Sequence, residues 1–183
     1  MDSLAGQFLI ATPQMSDPRF QEAVILLCSH DETGAFGLII NQPLAGVTMG
    51  DVLPDFPLPD LDSPPVLFGG PVDPESAFFL HSSDYPVSNE TGLVVSSAIF
   101  LSRSPNLLLD VGAGQGPEHF LFILGYAGWG PGQLEEELVG EGWLPLPATA
   151  EDVFLTSAEQ LWRRVAAKFG IDISLFSDLA GNA

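Results

Sequence analysis

The run Ala23-Val-Ile-Leu-Leu-Cys-Ser29 is apolar at nearly every position, and this constrains the fold more than any other stretch. A strand whose side chains are apolar on both faces must be covered on both, so it belongs in the middle of a sheet with packing on each side. Phe36 to Ile40 has the same character, and His30-Asp-Glu-Thr-Gly34 lies between the two as a turn. Together they predict an antiparallel hairpin at the centre of the sheet. Phe8 to Thr12, stopped by Pro13, adds a further strand. Val66 to Phe68, Ala77 to His81, Leu93 to Ser96, Phe120 to Leu124 and Trp143 to Leu146 complete the strand candidates.

Helices to cover such a sheet carry recognisable ends. Ser104-Pro105 opens one that runs through Leu107, Leu108 and Val111 and closes at Gly112-Ala-Gly-Gln-Gly116. Thr48 is placed to cap a short turn over Met49 to Leu53. Ser157 to Gly170 reads as the last helix, with Ser157 and Gln160 as a capping box. Its apolar stripe is Leu161, Trp162, Val165, Ala166 and Phe169, and Arg163, Arg164 and Lys168 form an opposite, solvated basic face. Strands and helices do not alternate regularly, so a doubly wound parallel sheet is excluded and the class is α+β.

Leu124-Gly-Tyr-Ala-Gly-Trp-Gly-Pro-Gly-Gln-Leu-Glu-Glu-Glu137 holds the densest chemistry. Its glycines permit positive φ or close backbone approach, and are expected to let Tyr126 and Trp129 pack beneath the helix that follows. Gly130 is the expected N-cap, Pro131 the first helical residue, and Gln133 the side chain reaching back. Glu135, Glu136 and Glu137 then meet the positive end of the helix dipole. The missing N–H of Pro131, the crowd of glutamates and the lack of a following lysine argue against phosphate there. Gly112-x-Gly-x-Gly116 lies between a helix and a strand, the reverse of a dinucleotide site.

Together with Gly6-Gln-Phe-Leu-Ile-Ala-Thr-Pro13, Asp17-Pro-Arg-Phe20, Gly37-Leu-Ile-Ile-Asn-Gln-Pro43 and Gly69-Gly-Pro-Val72, the stretch containing Gly125, Trp129 and Gly130 resembles the AlgH/YqgE family of bacterial proteins. The match runs from Leu4 to about Gly181. The resemblance implies an α+β fold with a mixed or antiparallel, strongly bent sheet approaching a barrel, helices packed around it. It implies no mechanism, since the family is largely uncharacterised and one branch is named as a regulator of alginate synthesis.

Charge bears on partners. Five Lys and Arg stand against 24 Asp and Glu, for a formal net charge of −19. Such a field repels nucleic acid and anionic membranes, so direct contact with either is not expected. Cys28 is the only cysteine and follows an apolar run, so it reads as a buried structural thiol in a reducing compartment, the cytoplasm. At 183 residues the chain fits one domain over 1–183 able to bury about 70% of its unfolded surface. Residues 54–65, with five prolines, read as a surface loop rather than a boundary.

His30, His81 and His119 are too far apart for a local metal motif, and neither a metal nor a cofactor is implied. His30 beside Asp31 and Glu32 reads as solvated, whereas His81 at a strand end reads as partly buried. Thr12, Asp17, Arg19, Asn41 and Gln42 lack an evident structural reason. With Gly69, Gly70 and His81 they form a candidate rim for a small ligand or partner, in which Arg19 reads a carboxylate. Alternatively, Asp17 pairs with Arg19 or caps a turn. The chain is expected to be a non-enzymatic regulatory or interaction protein with a protein or small-molecule partner and any transcriptional role indirect. The competing reading is a ligand-binding protein or hydrolase-like enzyme that uses the rim.

Overall fold

The computed structural model describes residues 2–56 and 65–172. The sheet begins with β1 (Gln7–Ala11), followed by β2 (Val24–Asp31) and β3 (Gly34–Ile39), which form the expected hairpin. The pairing reaches further than the sequence suggests. His30 and Asp31 belong to β2, Gly34 begins β3, and the turn shrinks to Glu32 and Thr33. Asp31 Oδ1 accepts from the Thr33 backbone N–H and so closes that turn. β2 and β3 are apolar on both faces because both are covered. Val24, Leu26 and Cys28 join one core cluster, while Ala23, Ile25 and Leu27 join another.

After the hairpin come β4 (Pro43–Thr48), α1 (Met49–Val52), β5 (Pro65–Phe68) and β6 (Val72–Ser82). β4 is a strand that the sequence reading lacks, and Pro43 opens it, since a first residue does not need its N–H in the ladder. Thr48 and Asp51 cap the start of α1, the Asp51 carboxylate accepting from the Thr48 N–H at 2.8 Å. Of the proline-rich loop expected over 54–65, residues 57–64 lie outside the described residues. β7 (Gly92–Val94), β8 (Ile99–Ser102), α2 (Pro105–Gly112) and β9 (Phe120–Trp129) follow. α2 has Ser104 as its N-cap, accepting from Asn106 N–H. The chain closes with α3 (Gln133–Val139), β10 (Trp143–Pro147), α4 (Ala150–Leu155) and α5 (Ala158–Lys168). β8 and α4 are elements that the sequence reading lacks.

β9 organises the sheet, and it is twice the length expected. Phe122 to Leu124 pair with β5 in parallel and with β6 antiparallel, while Ala127 to Trp129 pair with β3. One strand therefore takes part in three ladders, and the bend falls at Gly125, where φ is +75°. A side chain there would meet the Gly70 carbonyl oxygen, and one on Gly70 would collide with the Tyr126 backbone. The main path runs β10-β1-β2-β3-β9-β6-β8-β7, with β4 and β5 branching from β9. The result is an α+β fold around a strongly bent mixed sheet.

Because β9 runs on to Trp129, α3 starts later than expected. Gly132, with φ +75°, is its N-cap rather than Gly130, though Gln133 Oε1 does accept from the Gly130 N–H at 3.0 Å. Ser157 precedes α5 without a side-chain cap bond, so the expected capping box there is absent. Tyr126 and Trp129 are an odd number of residues apart on one strand and face opposite sides. Only Trp129 packs with α3, while Tyr126 packs on Phe36 and Phe78.

Candidate functional site

β1 ends at Ala11, and Thr12 ties its end to the two residues that lead into β10. Thr12 N–H donates to Gly142 O at 3.1 Å, and Thr12 Oγ1 donates to Glu141 O at 2.6 Å. The first of these bonds fixes the phase of the edge strand. Residues 142, 144 and 146 turn their amide groups toward β1, and Pro145 and Pro147 fall on the outward positions. The outer edge therefore offers few donors, and strand addition there is disfavoured.

Above this edge lies a cavity of about 430 Å3. Its walls are Ile10, Ala11, Pro13, Leu138, Trp143, Leu144, Pro145, Trp162, Ala166 and Ile171, with Thr12, Gln14 and Glu141 as its polar edge. This size and lining suit an apolar group held by few polar contacts. Trp162 is fixed by its indole N–H, which donates to Ala11 O at 2.8 Å. Trp162 also lines a smaller cleft of about 220 Å3 with Gln21, Glu22, Asn41, Gln42, Ala158, Glu159 and Arg163. One indole thus separates an apolar chamber from a polar one.

Several residues singled out from the sequence meet here. Thr12 lines the apolar chamber, and Asn41 and Gln42 line the polar one. Asn41 Oδ1 accepts from Val24 N–H and its Nδ2 donates to Glu22 O, both at 2.8 Å. Gln42 donates to Arg19 O at 3.2 Å. Arg19 itself is paired with Asp17 in a forked contact, Nη2 to Oδ2 at 2.7 Å. Asp17 also caps the 3-10 turn Pro18–Phe20, accepting from Arg19 N–H. The Arg19 side-chain bond, more than any other contact, holds the Asp17 carboxyl below its usual range. The Asp17–Arg19 pairing weighed in the sequence is thus the arrangement found.

Gly70, as described above, and Gly69, which lies against the Gly125 backbone, serve close approach to β9 and line neither chamber. His81 is elsewhere too, fully buried on β6 where it pairs with β8. Its Nδ1 faces Ser82 O at 2.9 Å, which must accept, so Nδ1 carries the proton and Nε2 accepts from Ser102 Oγ at 2.8 Å. Burial lowers the His81 pKa against the opposing pull of Ser82 O and Asp84. A serine beside a neutral imidazole has the outline of a nucleophile and its base. Both side chains are sealed, however, at 0% and 2% exposure, so no substrate reaches them in this conformation.

His30 is corrected from solvated to buried. Its Nδ1 accepts from Leu4 N–H at 3.0 Å and its Nε2 meets Glu135 Oε1 at 2.8 Å, which selects the tautomer opposite to that of His81. The glutamates of α3 are likewise not a plain solvated face. Glu137 Oε2 accepts both indole N–H groups of Trp129 and Trp143, at 2.9 and 3.0 Å. The basic face of α5 is corrected as well: Lys168 and Arg164 both reach the buried Asp152. Cys28 is buried, and desolvation pushes its thiol pKa up, which removes it as a nucleophile.

Sequence reasoning misses Glu22, Glu141 and Trp162 as site residues. Trp162 was legible only as part of an apolar stripe. Glu141 stands between two glycines after a helix, Gly140 and Gly142, which is the one signal that marks an unusual backbone there. Its φ is +59°, and that of Glu22 is +54°.

A profile described as AlgH-like matches residues 8–174. A UPF0301 protein of Jannaschia sp. is 42% identical over 98% of this chain and 95% of its own length. One from Xanthomonas oryzae pv. oryzae is 42% identical over 98% of this chain and 96% of its own. The solution structure of the AlgH protein from Pseudomonas aeruginosa superposes with a TM-score of 0.79 at 38% identity, covering 99% of this chain and 96% of that one. A crystal structure from Corynebacterium diphtheriae shares the fold, with a TM-score of 0.76 at 22% identity over 97% and 92% of the two chains.

Proposed function

The chain belongs to the AlgH-like family, and from that premise we propose that it is a non-catalytic interaction protein, whose cavity beside Trp162 receives an apolar side chain of a partner protein. The observation that carries this reading is the cavity itself: about 430 Å3, walled by aliphatic and indole groups, with polar contacts only at its edge. The groups best suited to covalent or acid–base chemistry support it from the other side. Cys28 and the His81–Ser102 pair are buried, and His30 is spent on Leu4 and Glu135.

A regulatory role would then pass through a bound protein rather than through DNA. The net charge of −19 supports this, as does the use of Arg19, Arg164 and Lys168 in internal ion pairs. The reading covers one domain over 1–183 and expects the cytoplasm, where a lone buried thiol stays reduced. No helix among the described residues is long and apolar enough to cross a membrane. The test is an NMR titration of the full chain with the neutral peptide acetyl-Leu-Phe-amide. The indole N–H signals of Trp162 and Trp143 should move together with the methyl signals of Ile10 and Leu144. Shifts confined to other surfaces would refute the reading.

A further inference from the structure

We propose that the segment docking in this cleft is cationic: one bulky apolar side chain enters the cavity, and flanking Arg or Lys residues meet Glu141 at its edge and Glu22 across Trp162. The proposal rests on the docking reading above and adds the chemistry of the partner.

Its starting point is backbone conformation. Among the described residues, three that are not glycine have φ in the left-handed region: Glu22, Asp73 and Glu141. Two of the three line this cleft, one in each chamber. Glycine would hold either conformation without strain, so a glutamate at such a position costs stability. Each is also clamped by a side chain across the fold. Thr12 Oγ1 donates to the Glu141 carbonyl, and Asn41 Nδ2 donates to that of Glu22. The clamps hold the main chain, while neither carboxylate meets a hydrogen-bond or ion-pair partner among the described residues. Strain that persists because the surroundings over-determine it is a mark of binding sites.

Charge complementarity then selects the occupant. The polar chamber sets Glu22 and Glu159 against Arg163, and the apolar one has Glu141 as its single charged residue. Both therefore carry an excess of negative charge, within a molecule of net charge −19. An acidic or phosphorylated segment would be repelled on approach, whereas a basic one would be steered in. Backbone pairing adds little, since Pro145 and Pro147 blunt the adjacent edge. Recognition would be left to the apolar anchor and the charges.

The test titrates the full chain with three peptides: acetyl-Arg-Leu-Phe-Arg-amide, its acidic counterpart acetyl-Glu-Leu-Phe-Glu-amide, and acetyl-Arg-Ser-Ser-Arg-amide. The first should bind with shifts at Trp162 and Trp143, and weaken several-fold as salt rises from about 0.01 M to about 0.5 M. The second should bind at least about tenfold more weakly, and the third should leave the two indole signals in place. Glu22→Gln with Glu141→Gln should abolish the preference for the basic peptide. Glu141→Gly should raise the melting temperature while weakening the basic peptide, which separates a lost contact from a damaged fold. Equal binding of the first two peptides would overturn the cationic assignment and leave the docking reading intact. Silence at both indoles with all three would overturn the docking reading itself. Binding of the serine peptide as tight as that of the first would remove the apolar anchor.

Discussion

The two glutamates with left-handed backbones show how much a single residue can carry that its type does not announce. Thr12 and Asn41 stood out in the sequence as polar residues without a structural reason, and each proves to be a clamp. Their partners stayed hidden, because nothing in a glutamate's identity predicts positive φ, and the clamped group is its backbone carbonyl. Replacing Glu141 by glycine should stabilise the protein by about 1 kcal/mol, read as a raised midpoint in urea unfolding. An unchanged or lowered midpoint would show that the conformation costs nothing.

The histidines give a second residue-scale prediction. Neutral His81 should carry its proton on Nδ1 and His30 on Nε2, which nitrogen chemical shifts distinguish. Because burial depresses the His81 pKa, the unfolded chain binds a proton there more readily than the folded one. Stability should be full above the unfolded value of about 6.5 and decline as pH falls below it, toward the folded pKa. His81→Gln should remove that decline below a pH of about 6.5 while lowering stability overall.

Among elements, the hairpin and most strand positions were legible, because two-faced apolar runs admit few alternatives. The length of β9 was not, since glycines at 125, 128 and 130 read as a turn. Gly125 proves to be the place where the strand bends and the Gly70 backbone lies against it, and Gly128 falls within the strand, a tertiary use that local sequence does not distinguish from a loop. Gly70→Ala should therefore cost about 3 kcal/mol or more, its Cβ meeting the Tyr126 backbone rather than a side chain that can yield. The tie between α4 and α5 was also invisible, since α4 itself was missed. Burial alone would raise the Asp152 pKa, but bonds from Lys168, Thr149 and Arg164 outweigh it and hold the carboxyl low. Its contribution is then present above the unfolded value of about 3.9 and lost as pH falls below that. Asp152→Asn should cost about 1.5–3 kcal/mol at neutral pH, the scale of hydrogen bonds to a charged group. Thermal melting at neutral pH and at about pH 3 should show the difference from wild type narrowing. A difference that stays constant would mean the charge is not what matters.

At the scale of the whole molecule, the class, the bent sheet and the family were within reach of the sequence, whereas the cavity was not. Its walls come from residues more than a hundred positions apart, and Ile10, Trp143 and Ala166 each looked like ordinary core. Of the predicted rim, Thr12, Asn41 and Gln42 line the two chambers, while His81 sits at a different part of the sheet. The central claim is that this space is kept open for a partner's side chain. It is tested most directly by filling it with Ala166→Leu, or with Ile171→Trp if the first variant packs poorly, and repeating the titration with acetyl-Leu-Phe-amide. The account predicts a melting temperature at or above that of the wild type, together with loss of the shifts at Trp162. A filled variant that binds the peptide as the wild type does would contradict it.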